Sequence, residues 1–335
     1  MARTLIIIPH YNKITLLKEC LSYIDSNYNG TFDVMIVDNG STDGSSQYIY
    51  ELSQKNNHYH SILLSDNMGF AYAVNAGLQY SLNNDYEFSI LLNNDAFIEK
   101  NFVNKLVNKI EESKKIFAVS SMMLNFSDTN IIDSFGDYYT ILGWSFQGHI
   151  AEKYDDIEND ELPFSACAGA AIYRNSIINQ IGLFDENFFA YLEDIDISYR
   201  AKLYGYVIKT CKDAICYHIG SGTTGSKYNE FKVRISARNN IYLLYKNMPY
   251  VQILINIFPL FIGHIVKLIF FIHKGFGLDY FFGIVDGFRN VNKVTKVNFR
   301  KINVLAFFKI EIELITNMFK YIVNFTKRHF NEESE

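Results

Sequence analysis

"FSILLNND", residues 88–95, is a continuous apolar run that ends abruptly on two carboxamides and a carboxylate. A run without polar alternation predicts a strand buried on both faces. Reading outward, the same pattern precedes it three times. "TLIII" (4–8) is rich in β-branched residues and meets Pro9, "DVMIVD" (33–38) closes on an acid, and "SILLS" (61–65) runs into Asp66 and Asn67. Helical signals lie between the strands. Ile14, Leu17, Leu21 and Ile24 recur at helical spacing, "STDGSSQYIYEL" is a turn entering a helix with Ser, Thr and Asp as capping candidates, and "AYAVNAGLQYSL" (71–82) is a third helix. Four alternations of strand and helix imply an α/β fold with a mostly parallel central sheet covered by helices. Ligands bind such sheets outside the carboxyl ends of the strands. The predicted site is therefore Pro9–Asn12, Asp38–Asp43, Asp66–Gly69 and Asn93–Asp95.

Beyond residue 100 the pattern loosens. Strands are predicted near 117–124 and 206–217, and "GDYYTILGWSFQGHI" (136–150) reads as a glycine-punctuated loop or hairpin. Apolar residues make up 49% of the 335-residue chain, ample for a sizeable core and outside the disordered range. The four cysteines, Cys20, Cys167, Cys211 and Cys216, fit neither a zinc spacing nor a disulfide framework, and are expected to be reduced core thiols in the cytoplasm. The N-terminal apolar run is shorter than a signal segment and reads as the buried first strand. No nucleic-acid motif is present.

From residue 251 the character changes. "VQILINIFPLFIGHIVKLIFFI" carries Lys267 as its only formal charge, and "INVLAFFKIEIELITNMFKYIVNF" (302–325) is a second apolar helical segment. From Arg289 on, nine Lys/Arg face five acids, a surplus of four, so residues 1–288 carry −9 of the total −5. A basic tail on an acidic body points to an anionic surface. The preferred reading is a set of helices lying in or against a membrane face, which places the protein peripherally on the inner face of the cell membrane. A helical subdomain or homo-oligomer interface is the next reading, and a transmembrane hairpin the third. The organisation expected is a nucleotide-binding half (1–100), an acceptor half (101–245) and a C-terminal helical region (246–335).

Three motifs sit on strand ends. In "IVDNGSTDGS" (36–45) a carboxylate can accept hydrogen bonds from a base or ribose, while a helix start offers N–H groups to phosphate. In "LLNNDAF" (91–97) Asp95 can hold a hard cation together with diphosphate oxygens. In "SDNMGFAYAVNAGL" (65–78) Asn67 and Gly69 precede a helix start suited to an anion. Alone, the first and third are better read as an ordinary capped turn and a helix cap, and the second is equally an Asn/Asp turn. Taken in order with "IIPHYN", they resemble the inverting family-2 glycosyltransferases of GT-A fold. "GAAIYRNSIINQIGLFDENFFAYLEDIDISYRAKLYGY" and "YHIGSGTT" resemble that family's acceptor half, with the rhamnosyltransferase-like branch nearest in look. The resemblance covers about residues 4–245.

The resemblance implies an enzyme moving a sugar from a nucleotide-sugar donor to a glycan or lipid-linked acceptor, with dTDP-rhamnose the leading donor and UDP-sugars next. It implies Pro9 and Tyr11 at the nucleobase, Asp38 hydrogen-bonded to the base, Asn94 near the ribose, and Asp95 and His218 at a Mg²⁺ or Mn²⁺ ion. Asp194 takes the place of the catalytic base. Asn93 replaces the first Asp of the family's DxD pattern, which removes a charge from the cation site and puts strict metal dependence in doubt.

The residues around Asp194 bear on this independently. Glu193, Asp194 and Asp196 are crowded among Phe188, Phe189, Tyr191, Leu192, Ile195 and Ile197. Asp196 and Arg200 are spaced to pair on a helix. Asp194 lacks such a partner, and an aromatic wall would desolvate it and raise its proton affinity toward the range of a general base. Glu193 is then an orienting residue. The competing reading is three acids complementing a helix dipole. Gly169, in the small-residue stretch "SACAGAAIYR", would let backbone approach a sugar. Trp144 is a stacking or core residue, Arg234 and Arg238 reach a diphosphate or are solvated, and residues 220–227 are a candidate lid. The alternatives to sugar transfer are a nucleotidyltransferase, for which the N-terminal segment lacks a glycine- and lysine-rich phosphate loop, and a non-catalytic sugar- or membrane-docking protein.

Overall fold

The computed structural model describes residues 3–220, 228–299 and 304–332. The candidate lid falls almost wholly on 221–227, outside the described residues. The first half alternates as its sequence requires: β1 (Thr4–His10), α1 (Ile14–Asn27), β2 (Phe32–Asn39), α2 (Ser45–Lys55), β3 (Tyr59–Leu64), α3 (Phe70–Asn83) and β4 (Phe88–Leu92). Then come β5 (Ala96–Ile98), α4 (Phe102–Glu111), β6 (Ile116–Asn125), β7 (Ile132–Ser134), and the antiparallel hairpin β8 (Asp137–Tyr139) and β9 (Ser145–Gln147). β10 (Ala170–Arg174), α5 (Asn175–Ile181), α6 (Glu193–Leu203) and β11 (Val207–His218) complete the α/β body. The helices α7 (Glu230–Asn247), α8 (Tyr250–Ile255), α9 (Ile257–His273), α10 (Gly277–Arg289) and α11 (Val304–Glu332) follow.

The main sheet runs β3-β2-β1-β4-β10-β6-β11-β5, with β7 added beside β6. β1, β2, β3 and β4 are parallel, β10 runs antiparallel between β4 and β6, and β11 returns parallel to β6. β10 is a strand the sequence disguised. Its Ala170 and Ala171 have weak strand preference, but small side chains fit between two strands fully covered on both faces. One face of the sheet packs with α1 and α4 through Leu17, Leu21, Phe102 and Leu106, and the other with α3 and α5 through Val74, Leu78 and Ile178. This two-sided burial explains the unbroken apolar strands.

The C-terminal helices are bound into the body. Lys202 of α6 pairs with Glu313 of α11 at 2.8 Å, Leu314 O accepts from Ile141 N, and Asn317 donates to Tyr139 O. The Trp144 indole N–H donates to Gly263 O of α9 at 3.0 Å. A Cβ on Gly263 would lie 2.0 Å from Leu142 O, so only glycine allows this approach. Among the described residues no helix is long and apolar enough to cross a membrane. A broad apolar surface is nonetheless exposed on α8 to α11, with Phe258 and Leu278 about three-quarters exposed at 75% and 73%.

Candidate active site

One cleft of about 980 Å³ opens along the carboxyl ends of β1 and β4 and continues beneath α7, α9 and α10. Pro9, Tyr11, Asn67, Gly69, Asn93, Asn94, Asp95, Gly169, Glu193, Asp194 and His218 all line it, so residues spread over 210 positions of sequence meet in one space. At the strand tips, the Asn39 amide donates to Asn67 Oδ1 (3.0 Å) and Gly69 O (3.1 Å), while Met68 N donates to Asn39 Oδ1. Gly69 has φ +92°, and a Cβ there would strike the Phe189 ring at 2.5 Å. Glycine thus lets the donor-side turn and the acceptor-side loop touch.

Asp38 stands behind this front and does not line the cleft. It is fully buried, and its Oδ2 accepts from Ser46 Oγ (2.6 Å) and Ser41 N (3.3 Å), while Oδ1 has no hydrogen-bond partner among the described residues. His10, which the sequence reading placed at a strand tip without giving it a role, fixes Asn94. The Asn94 amide lies 2.8 Å from His10 Nδ1, and His10 Nε2 lies 2.9 Å from Ser45 Oγ. Ser45 in turn donates to Asp43 Oδ1. With Asn94 as donor, Nδ1 accepts and Nε2–H donates, so the ring is neutral. Burial lowers the His10 pKa against the charges of Asp38 and Asp43, in keeping with that state.

At the tip of β4, Asp95 Oδ1 lies 3.3 Å from His218 Nε2, and His218 Nδ1 lies 2.8 Å from Asp133 Oδ2. Burial works to lower the His218 pKa, but its hydrogen bonds to the two carboxylates and their charges raise it to about 9. The pair is held from both sides, since Ile219 N donates to Asp95 O. A carboxylate and an imidazole side by side, with a further carboxylate orienting the ring, suit a divalent cation that also takes phosphate oxygens. Asp95, Asp133 and His218 fit that use once the imidazole is deprotonated.

Asp194 opens onto the same cleft from the first turn of α6. Its Oδ1 accepts from Ile195 N at 2.7 Å. Burial raises its pKa to about 6 despite the backbone N–H groups of Ile195, Ala168 and Asp194 itself, which favour the ionised form. Glu193 is pushed further, to about 8, by burial first and the Asp194 charge second. Asp137 and Cys167 come within 4.8 Å of Asp194 through their ligating atoms, and burial followed by the charges of Asp194 and Asp133 keeps Asp137 well above the usual carboxylate range. Asp196 differs. Burial alone would raise it, but Arg200 and Lys246, both 3.0 Å away, and the Asn247 amide at 2.8 Å lower it. One acidic cluster therefore splits into a pocket acid, Asp194, and a structural anion, Asp196. All three acids also lie in the first turn of α6, so the helix dipole acts on them as well.

The loop that delivers Asp194 is strained. Phe189, Tyr191 and Leu192 have φ of 65°, 69° and 68°, unusual for large side chains. Arg238 and Asn239 of α7 hold it there. Arg238 Nη2 donates to the carbonyls of Asn187 (3.1 Å) and Phe188 (3.0 Å), and the Asn239 amide donates to Phe188, Ala190 and Tyr191. Arg238 therefore does not line the cleft, and its guanidinium is spent on backbone carbonyls. Arg234 pairs with Asp286 at 2.7 Å. Trp144 is also off the cleft, with its ring against Tyr321 and its N–H on α9. The expected contacts of Arg238 with diphosphate and of Trp144 with sugar have no support in this geometry. The paired asparagine and arginine of α7 carried no signal except their adjacency, Asp137 lay in a stretch read only as a loop or hairpin, and Asp133 lay just before it.

The strand order, with antiparallel β10 between β4 and β6 and a cleft at the strand tips, defines an α/β scaffold of the nucleotide-binding class. Residues 5–182 match the sequence profile described as glycosyl transferase family 2, and the chain belongs to that family. It is 24% identical over 221 residues to a poly-beta-1,6-N-acetyl-D-glucosamine synthase of Staphylococcus epidermidis, covering 66% of this chain and 50% of that protein. The chain thus spans about half the length of the curated relatives it matches. Among solved structures it superposes on GalNAc-T7 bound to UDP, GalNAc and Mn²⁺, with TM-score 0.60, 13% identity, and coverage of 73% of this chain and 48% of that one. It also superposes on the mannosyltransferase PcManGT of Pyrobaculum calidifontis bound to GDP-Man and Mn²⁺, with TM-score 0.54, 14% identity, and coverage of 88% and 76%. The GT-A fold expected from the sequence is the fold observed.

Proposed function

We propose that this chain transfers a sugar from a nucleoside diphosphate donor to an acceptor hydroxyl in a single, inverting displacement. The observation that carries this reading is the opening of Asp194 onto the same cleft as the Asp95–His218 pair. Pro9, Tyr11, Asn67, Gly69, Asn93 and Asn94 would receive the nucleotide, with Asp38 offering its unpartnered Oδ1 from behind the turn. Asp95 and His218 would hold a Mg²⁺ or Mn²⁺ ion, which when bound neutralises charge on the departing diphosphate. Asp194 takes the proton from the acceptor oxygen as that oxygen attacks the anomeric carbon. No covalent intermediate on the protein is needed. Glu193, kept neutral by burial and by the Asp194 charge, orients the acceptor or the base.

The likeness to rhamnosyltransferases favours dTDP-rhamnose as donor, and the curated relatives favour UDP-N-acetylglucosamine. A thermal-shift panel of both, and of GDP-mannose, with and without Mn²⁺ tests the reading, because a ligand that binds the native state raises its melting temperature. A rise with one nucleotide sugar, larger with Mn²⁺, is expected. No shift with any of them would refute it. The exposed apolar faces of α8 to α11, with Lys274, Arg289 and Lys293 exposed near their ends, support peripheral attachment to an anionic membrane in preference to pairing with a second copy. Co-sedimentation with phosphatidylglycerol vesicles, at a chain concentration where light scattering reports a monomer, tests that choice.

A further inference from the structure

Lys267 enters the cleft from the C-terminal helices. It projects from α9 into the wall shared with Tyr228, Lys232, Phe271 and Tyr280. Phe271, one turn on, stacks on Tyr280 at 5.2 Å, and the Tyr280 hydroxyl lies 2.9 Å from His264 Nδ1. Among the described residues Lys267 has neither a hydrogen bond nor an ion pair, and no carboxylate supports its charge. Burial brings its pKa down to about 8, and its charge helps burial to keep His264 neutral. Leaving an ammonium in an aromatic wall without a counter-charge is costly unless a ligand supplies one.

We infer that Lys267 is an anion subsite for the phosphate of a lipid-linked acceptor. The inference rests on reading the cleft as a transferase site, which assigns the donor diphosphate to Asp95 and His218. The carboxylates Asp95, Asp133 and Asp194 elsewhere in the cleft disfavour a second anion there. Lys267, with Lys232 on the same wall, is where an acceptor phosphate is welcome. The lipid assignment comes from α9 itself. Val266, Ile269 and Phe270, the neighbours of Lys267 in sequence, are 44%, 50% and 40% exposed and belong to the apolar face of α8 to α11. A phosphate held at Lys267 leaves its hydrocarbon chain a short route over α9 onto that surface, and directs the sugar end of the acceptor toward Asp194. A bound phosphate would also restore the ordinary basicity of the ammonium.

The chain contains a single tryptophan, Trp144, and its N–H bonds to Gly263 O, one turn before Lys267. Its fluorescence is therefore a local probe. Titration of the full chain with farnesyl phosphate should give a saturable change. Lys267→Met should weaken binding at least tenfold, and Lys267→Arg should stay within about threefold of wild type. Equal binding of farnesol, or no loss in Lys267→Met, would overturn the subsite. Glycerol phosphate binding as tightly as farnesyl phosphate would overturn the lipid assignment. Should Lys267→Met fail to fold, acetic anhydride footprinting of the wild-type chain decides. Protection of Lys267 by farnesyl phosphate and not by farnesol is expected, and its absence refutes the proposal. Failure of every nucleotide sugar in the thermal-shift panel would instead remove the transferase reading and leave Lys267-dependent phosphate binding intact, so the two are separable.

Discussion

Replacing Asn239 tests how the base is presented. This buried residue touches neither the donor turn nor the cation pair, yet its amide reaches the carbonyls of Phe188 (2.9 Å), Ala190 (2.8 Å) and Tyr191 (2.8 Å). Phe188 O keeps Arg238 as a second donor, so a substitution takes a donor chiefly from two carbonyls. Each buried polar group left short costs about 1–3 kcal/mol. The positive-φ backbone at Phe189, Tyr191 and Leu192 stores roughly 1–2 kcal/mol per residue, which favours relaxation once the clamp is gone. Asn239→Ala should therefore lose about 2–4 kcal/mol and melt roughly 5–10 °C lower. Asn239→Leu, of similar volume, should lose nearly as much, because packing cannot replace donation. Differential scanning fluorimetry gives the stability, and initial rates give the chemistry. We expect kcat to fall at least tenfold with donor KM within threefold, since the relaxed loop carries Asp194 whereas the strand tips that line the donor side are held by their own hydrogen bonds. An Asn239→Leu variant melting within 1 °C of wild type, or turning over normally, would refute the clamp.

Asp194→Asn should lower turnover by roughly 10²–10⁴ while nucleotide binding, read by thermal shift, persists. The base works ionised, so turnover should rise with pH through about 6, and at pH 5 should be about a tenth of its plateau. A profile flat from pH 5 to 8 would count against Asp194. Asp95→Ala should abolish the extra thermal shift that Mn²⁺ gives to a bound nucleotide, and an unchanged Mn²⁺ titration would reject it as a ligand. Asp196→Ala leaves the buried Lys246 and Arg200 without their shared counter-charge, and should cost about 3–5 kcal/mol in urea unfolding. Because folding lowers the Asp196 pKa, its contribution is complete above the unfolded value of about 3.9 and is lost as pH falls through the lower folded one. The gap between wild type and Asp196→Asn should accordingly narrow in acid melts.

The parallel half of the fold was legible because β1, β2 and β4 are buried on both faces, β3 is a short apolar edge strand beside them, and each tip turns polar at once. Asp95 stood out as a carboxylate on a strand tip, whereas Asn94 and Asp194 were named through the family resemblance, and all three line one cleft. β10 was not legible, since an Ala- and Gly-rich segment shows no period and its role is set by the strands on either side. The role of His10 was hidden because a lone histidine at a strand end announces no partner, and its partner Asn94 lies 84 residues away. Asp196 and Arg200 paired as their spacing requires. Arg238 and Trp144 were misplaced for a common physical reason. A cation or an indole near a cleft is just as useful for tying down a loop or a helix, and local sequence does not show which carbonyls stand opposite.

The seam at Gly263 has a practical outcome for anyone building hybrids of this enzyme. The peptide of Leu142 rests against that glycine so closely that a single methyl group would wedge the α9 module off the catalytic body. Exchanging the last ninety residues for those of a relative would thus yield a working chimera only where glycine is retained at this seam, whichever acceptor the transplanted helices were chosen to recruit.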